Sequence, residues 1–116
     1  MPPEDEPDEI TPMLRQFKAN VFRVLANPTR IHIIECLRNE ELPVKELQEQ
    51  LGVEASNASQ HLAILRANGL VRYRREGNLV YYSLRDPFLT DVLDAMKEYF
   101  LSHLEDAQKM LRGIHE

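Results

Sequence analysis

Residues 56–84 constrain this chain more than any other stretch. In their first half Ala58, Leu62 and Leu65 recur at i, i+4 and i+7, the spacing of one helical face. The opposite face carries Ser56, Ser59, Gln60, Ala63 and Ala67, all uncharged and mostly small. An ordinary surface helix shows Glu and Lys to water; this one is built to lie close against something, with hydroxyls and an amide free to hydrogen-bond. Asn68-Gly69 stops the helix, because Gly tolerates the left-handed position after a helix end. Two β-rich runs follow, separated by Gly77-Asn78, a two-residue hairpin signal. Arg72, Arg74 and Arg75 crowd the first run. A polar-faced helix followed by a basic hairpin is the pattern of a winged helix-turn-helix, in which the helix enters the major groove of duplex DNA and the hairpin holds phosphates. The candidate DNA contacts are Ser56, Asn57, Ser59, Gln60, His61 and Arg66 on the helix, and Arg72, Arg74, Arg75 and Asn78 on the wing.

The charge balance agrees once its distribution is considered. The 116 residues carry a net charge of −5, which argues against a nucleic-acid binder. Residues 56–85, however, hold five arginines against one glutamate. A basic patch on an acidic body binds DNA in one orientation. Residues 1–12 contribute five acids, four prolines and no base, and are expected to form a solvated, disordered tail, leaving 13–116 as one DNA-binding and dimerisation domain. No apolar run approaches the roughly 18 residues of a membrane span, and the acidic start is the opposite of a signal peptide. The single cysteine, Cys36, fits a reducing cytoplasm.

The remaining elements follow from periodicity. Leu14, Phe17, Val21, Val24 and Leu25 predict a first helix over 13–26, and Asn27-Pro28 breaks it. Pro28 opens a second helix with a stripe of Ile31, Ile34 and Leu37. Pro43 opens a short third one, with Val44, Leu47 and Leu51 inward and Gly52 at its end. The short connection over 53–56 makes the helix-turn-helix. Asp86 and Pro87 suit the start of a last helix running to about Gly113. That helix, with a stripe of Leu89, Met96, Phe100, Leu104 and Leu111, spans about 26 residues, roughly 39 Å, longer than a small core can cover. The surplus implies a C2 homodimer through the first and last helices, with Leu14, Phe17, Val21, Met96, Phe100 and Leu104 at the interface. The expected fold is mainly α with a small β-hairpin.

No Ser/His/Asp or Cys/His arrangement and no phosphate-binding glycine loop is present, so neither catalysis nor a cofactor is expected. The competing non-enzymatic reading is a winged helix used as a protein-interaction module; the three wing arginines favour DNA.

Three segments carry a resemblance to a known family. They are Ala26-Asn27-Pro28-Thr29-Arg30-Ile31, Ser59-Gln60-His61-Leu62-Ala63-Ile64-Leu65-Arg66-Ala67-Asn68-Gly69-Leu70-Val71 and Arg74-Arg75-Glu76-Gly77-Asn78-Leu79-Val80-Tyr81-Tyr82-Ser83-Leu84. Together they resemble the ArsR/SmtB transcriptional repressors, over about residues 14–112. The resemblance implies a dimeric winged helix that leaves a palindromic operator when an inducer arrives. Family inducers are often metals, and the resemblance implies where their ligands would stand. The third-helix thiolate positions hold Pro43 and Lys45, neither of which binds a soft metal through sulfur. Of the zinc positions in the last helix, the early ones hold Thr90 and Val92, and the late pair survives as His103 and Asp106, fewer ligands than zinc takes. The inducer is therefore expected to be non-metal or absent; the alternative is a zinc response through the His103/Asp106 remnant. Persulfide-sensing relatives pair a second-helix cysteine with one in the last helix. Cys36 lacks that partner, which leaves it as a redox candidate against a core reading beside Ile33, Ile34 and Leu37. His61 stands at the family's DNA-facing helix, either supporting it through a hydrogen bond or touching a base.

Overall fold

The computed structural model of the chain describes residues 10–115, and at 107, 114 and 115 the backbone path only. In order, the elements are α1 (Ile10–Leu25), α2 (Pro28–Cys36), β1 (Leu42–Pro43), α3 (Val44–Leu51), α4 (Ala55–Ala67), β2 (Val71–Glu76), β3 (Leu79–Leu84), α5 (Phe88–Ser102) and α6 (Leu104–His115). Helix α1 starts at Ile10, earlier than the expected 13. Pro12 does not prevent this, since a first-turn residue has no intrahelical N–H bond to lose. The rest of the expected acidic tail, residues 1–9, lies outside the described residues.

Local chemistry sets the helix ends. Asn27 caps α2: its side-chain oxygen accepts from the backbone N–H of Thr29 at 2.9 Å and of Arg30 at 3.1 Å, with Pro28 next to it in the first turn. Helix α4 ends in a Schellman motif. Gly69, at φ +76°, sends its N–H to Arg66 O (3.0 Å), and Leu70 sends its own to Leu65 O (2.9 Å). That turn swings Leu70 back onto Leu65 and feeds the chain directly into β2.

The core gathers one or two side chains from each element between α1 and β2 and from the loops joining them: Val24 and Leu25, Ile33 and Ile34, Leu37, Leu42, Leu47, Leu62, Leu65, Leu70 and Val71, with Tyr82, Leu84, Leu89 and Leu93 of β3 and α5 packed partly buried against them. In α2 both Ile33 and the expected Ile34 are fully buried, while Ile31, expected in the stripe, is only half-buried. In α4 the expected face of Ala58, Leu62 and Leu65 is buried to within 1 %.

Strands β2 and β3 form the expected antiparallel hairpin, with Glu76 opposite Leu79 across Gly77-Asn78. Only Gly77 takes positive φ (+61°), the type II′ pattern that matches strand twist. The sheet has a third strand that periodicity did not reveal. In β1, Leu42 pairs with Tyr82 and Pro43 with Tyr81, giving the order β1-β3-β2. Proline is tolerated there because β1 is an edge.

The expected single last helix is two. At His103 (φ −110°, ψ 5°) the ladder breaks. His103 Nδ1 and Ser102 Oγ each lie 2.9 Å from Tyr99 O, and the Tyr99 and His103 rings stack at 4.4 Å. Side chains that bond a carbonyl in the last turn compete with the next backbone N–H, and the helix restarts at Leu104. The Cα radius of gyration, 17.9 Å, exceeds the ~13 Å of a compact chain this long. Helices α1, α5 and α6 project beyond the core.

Candidate nucleic-acid interface

Helices α3 and α4 meet through Gly52 and the two residues after it, and Leu47, Ala58 and Leu62 lock them together. With its inner face committed, α4 leaves Ser56, Asn57, Ser59 and Gln60 exposed to solvent. No side chain caps its N-terminus, so first-turn amides and the positive end of the helix dipole stay available to an anion.

His61, half-buried, is held from the body. Asn27 starts α2, and one turn in, Arg30 reaches back: its Nε donates to Val24 O at 2.5 Å, and its Nη1 lies 3.3 Å from His61 Nδ1. A guanidinium only donates, so Nδ1 accepts and the imidazole proton sits on Nε2, leaving that atom a donor. At the other end of α4, the Arg66 guanidinium stacks over the Tyr73 ring at 3.7 Å, and Tyr73 in turn meets Tyr82 across the hairpin at 6.1 Å. Tyr73 was not singled out from sequence; its role is to fix Arg66 against the wing, worth about 0.5–1 kcal/mol at an exposed site.

The wing divides the three expected arginines between different surroundings. Strand alternation puts Arg75 on the face of Tyr73 and Tyr82, the one that meets α4, near the tip and beside Asn78. Among the described residues its side chain makes no hydrogen bond or ion pair. Arg74 points the other way. Its Nε grips both carboxylate oxygens of Glu41 at 3.0 and 2.9 Å, its Nη2 bonds the same carboxylate, its Nη1 donates to Glu76 at 2.7 Å, and its guanidinium lies over Tyr81 at 4.5 Å. The hydrogen bonds from Arg74 hold the Glu41 carboxyl below the usual carboxylate range and hold Arg74 more firmly charged. Arg74 is thus over-neutralised within the chain. Arg72 lies about 16 Å along the strand from the turn, where its Nη2 donates to Arg85 O at 3.0 Å.

Four of the six expected dimer residues are exposed apolar side chains. Phe17 is 66 % exposed, Met96 and Phe100 57 %, and Leu14 44 %, while Val21 and Leu104 are half-buried. Arg38 clasps Asp94 with two hydrogen bonds, 3.0 and 2.6 Å, and so ties α5 to the end of α2.

Of the sensing candidates, His103 is occupied at Nδ1 by the helix break, and Asp106 is exposed on the next element. Thr90 is buried, with its hydroxyl donating to Pro87 O at 2.8 Å. Among the described residues no three His, Cys, Asp or Glu side chains gather as a metal site. Cys36 is half-buried against the core; burial, and then the Glu35 carboxylate, push its thiol up.

A recognition helix whose exposed first turns are uncharged, set against a two-stranded arginine-bearing wing, defines a winged helix-turn-helix protein. Residues 25–74 match a family described as a helix-turn-helix domain. Over 102 residues the chain is 36 % identical to an uncharacterised HTH-type transcriptional regulator of Mycobacterium tuberculosis, Rv0081, covering 87 % of this chain and 90 % of that one. The crystal structure of Rv0081 superposes with a TM-score of 0.72 at 38 % identity, covering 81 % of this chain and 95 % of that one. A homodimeric winged helix-turn-helix DNA-binding domain from Mycobacterium bovis, described as a possible ArsR-family regulator, gives 0.71 at 28 % identity, with 87 % and 95 % covered. A transcriptional repressor SmtB homologue of Synechocystis is 44 % identical over 71 residues, 61 % of this chain and 54 % of that one. The chain belongs to the ArsR/SmtB family of winged helix-turn-helix transcriptional regulators.

Proposed function

We propose that the chain is a cytoplasmic, non-catalytic repressor that binds a palindromic operator as a homodimer. The observation that carries this is the α4 surface: Ser56, Asn57, Ser59 and Gln60 in the open, His61 Nε2 presented by Arg30, and Arg66 and Arg75 flanking them. Gln and Ser read base edges, while arginines at the rim hold phosphates. The exposed stripe of Leu14, Phe17, Met96 and Phe100 supports pairing with a second copy, which would set two α4 helices about one DNA turn apart. No helix among the described residues is long and apolar enough to cross a membrane. The inducer is assigned as non-metal or absent, because Thr90 and Val92 leave the His103/Asp106 pair with fewer ligands than zinc takes. The test is a gel shift with the DNA upstream of its own coding sequence, run beside sizing chromatography. A dimer that retards this DNA against excess non-specific competitor is expected; a monomer, or equal affinity for competitor, would refute it.

A further inference from the structure

The end of α1, the start of α2 and the middle of α4 are joined by one side chain, Arg30. It lies in the first turn of α2, its own N–H held by the Asn27 cap at 3.1 Å. Its Nε donates to Val24 O at 2.5 Å, a carbonyl that the end of α1 leaves without an intrahelical partner and where the helix dipole favours a cation. Its Nη1 lies 3.3 Å from Nδ1 of His61, in the second turn of α4. Both residues are half-buried, and among the described residues Arg30 pairs with no carboxylate. The arginine is thus fixed at its root and at Nε, and the next arm of its fork is aimed at the imidazole. A guanidinium has five donors and no acceptor. Facing it, Nδ1 keeps its lone pair and the ring proton stays on Nε2.

We propose that Arg30 is a positioning residue for operator recognition: it locks His61 in one tautomer, and so makes the imidazole an obligate donor that reads a purine N7 in the major groove. The readout rests on the proposed function; the lock does not. Asn57 and Gln60, on the exposed face beside His61, carry amides that can turn to donate or to accept, so each suits several base edges. His61 Nε2–H cannot reverse its polarity while Arg30 stands behind Nδ1. It is mismatched to the amino groups of adenine and cytosine, which are donors themselves. It suits N7, the acceptor that both purines show in the major groove and no pyrimidine does. Phosphates find better partners in the charged Arg66 and Arg75 at the rim than in a neutral ring. Arg30 touches no base in this scheme; it acts through His61.

The lock is measured on the full-length protein without DNA, from the ring ¹⁵N shifts of His61 in alkaline buffer. Nδ1 should be bare and Nε2 protonated in the parent, and the two nitrogens should average toward each other in Arg30→Met. A proton on Nδ1 of the parent, or identical shifts in a folded Arg30→Met, would overturn the lock; should that variant fail to fold, the parent decides alone. The readout is measured by fluorescence anisotropy on a labelled operator duplex. His61→Asn sets an amide oxygen near the place of Nδ1, keeps a partner for Arg30 and leaves nothing at Nε2. It should lose about tenfold in affinity per half-site, and parent-like affinity would reduce His61 to a structural role and overturn the readout. One 7-deazapurine in the half-site should cost the parent about tenfold and His61→Asn nothing. If a methylphosphonate linkage shows that pattern instead, His61 holds the backbone and the readout is overturned. Arg30→Met should weaken operator binding severalfold, but add no further loss to His61→Ala; equal loss in both backgrounds would make Arg30 a structural residue only. A locked ring in a protein that binds no operator would refute the proposed function and leave the lock standing.

Discussion

Removing Arg75 and removing Arg74 should have different consequences for DNA binding, although the two are neighbours in sequence. Arg75 has no acidic partner among the described residues, whereas Arg74 shares its charge with Glu41 and Glu76 and the trio carries a net charge of −1. Each phosphate neutralised by a free cation contributes about 0.9 to the slope of log affinity against log salt. A dimer with two wings should therefore lose about 1.8 from that slope in Arg75→Ala, so that a fourfold rise in salt costs the variant roughly tenfold less affinity than the parent. Arg74→Ala should leave the slope nearly unchanged. Glu41→Gln, which frees Arg74 of its stronger partner, should steepen it by up to about 1.8. The assay is fluorescence anisotropy on a labelled operator duplex at several salt concentrations. Equal flattening in Arg74→Ala and Arg75→Ala would refute the assignment of one arginine to the DNA and the other to the body.

Phe100→Glu should give a monomer of 13.5 kDa on sizing and lose about 10²–10⁴-fold in operator affinity, the gain two linked half-sites provide; a dimer with full affinity would remove α5 from the interface. Micromolar zinc, cadmium or arsenite should leave operator affinity unchanged, whereas loosening that His103→Ala abolishes would restore the metal reading. Cys36, its thiol pushed up by burial and Glu35, should alkylate more slowly than free cysteine at pH 8. Because the fold favours the protonated thiol, the stability it contributes is present below the unfolded-state value and lost as pH rises through the raised folded one. Thermal stability should accordingly decline on the alkaline side, and less so in Cys36→Ala.

Much of this molecule was legible because local signals and tertiary demands coincide. The Ala58, Leu62, Leu65 stripe, the Asn68-Gly69 stop and the Gly77-Asn78 turn each satisfy a backbone requirement that the sequence states within a few residues. What was not legible comes in two kinds. Strand β1 has no period to detect at two residues, and it exists only because Tyr81 and Tyr82 offer it a ladder. The pairings of Glu41 with Arg74, Arg30 with His61 and Arg38 with Asp94 join residues 33, 31 and 56 positions apart, visible only after folding. The first of these changes the function assigned to Arg74. The break at His103 lies between: no Gly or Pro marks it, the apolar stripe runs through it, and side-chain competition for Tyr99 O decides it.

The most direct test of the central claim is selection of random duplexes by the purified protein and by Gln60→Ala. The parent should enrich an inverted repeat with half-sites about one helical turn, or a multiple of it, apart. Gln60→Ala should keep that spacing while relaxing one position in each half-site, by about 1–3 kcal/mol. Enrichment of no sequence, or of the same preferences by both proteins, would contradict α4 as the reading helix.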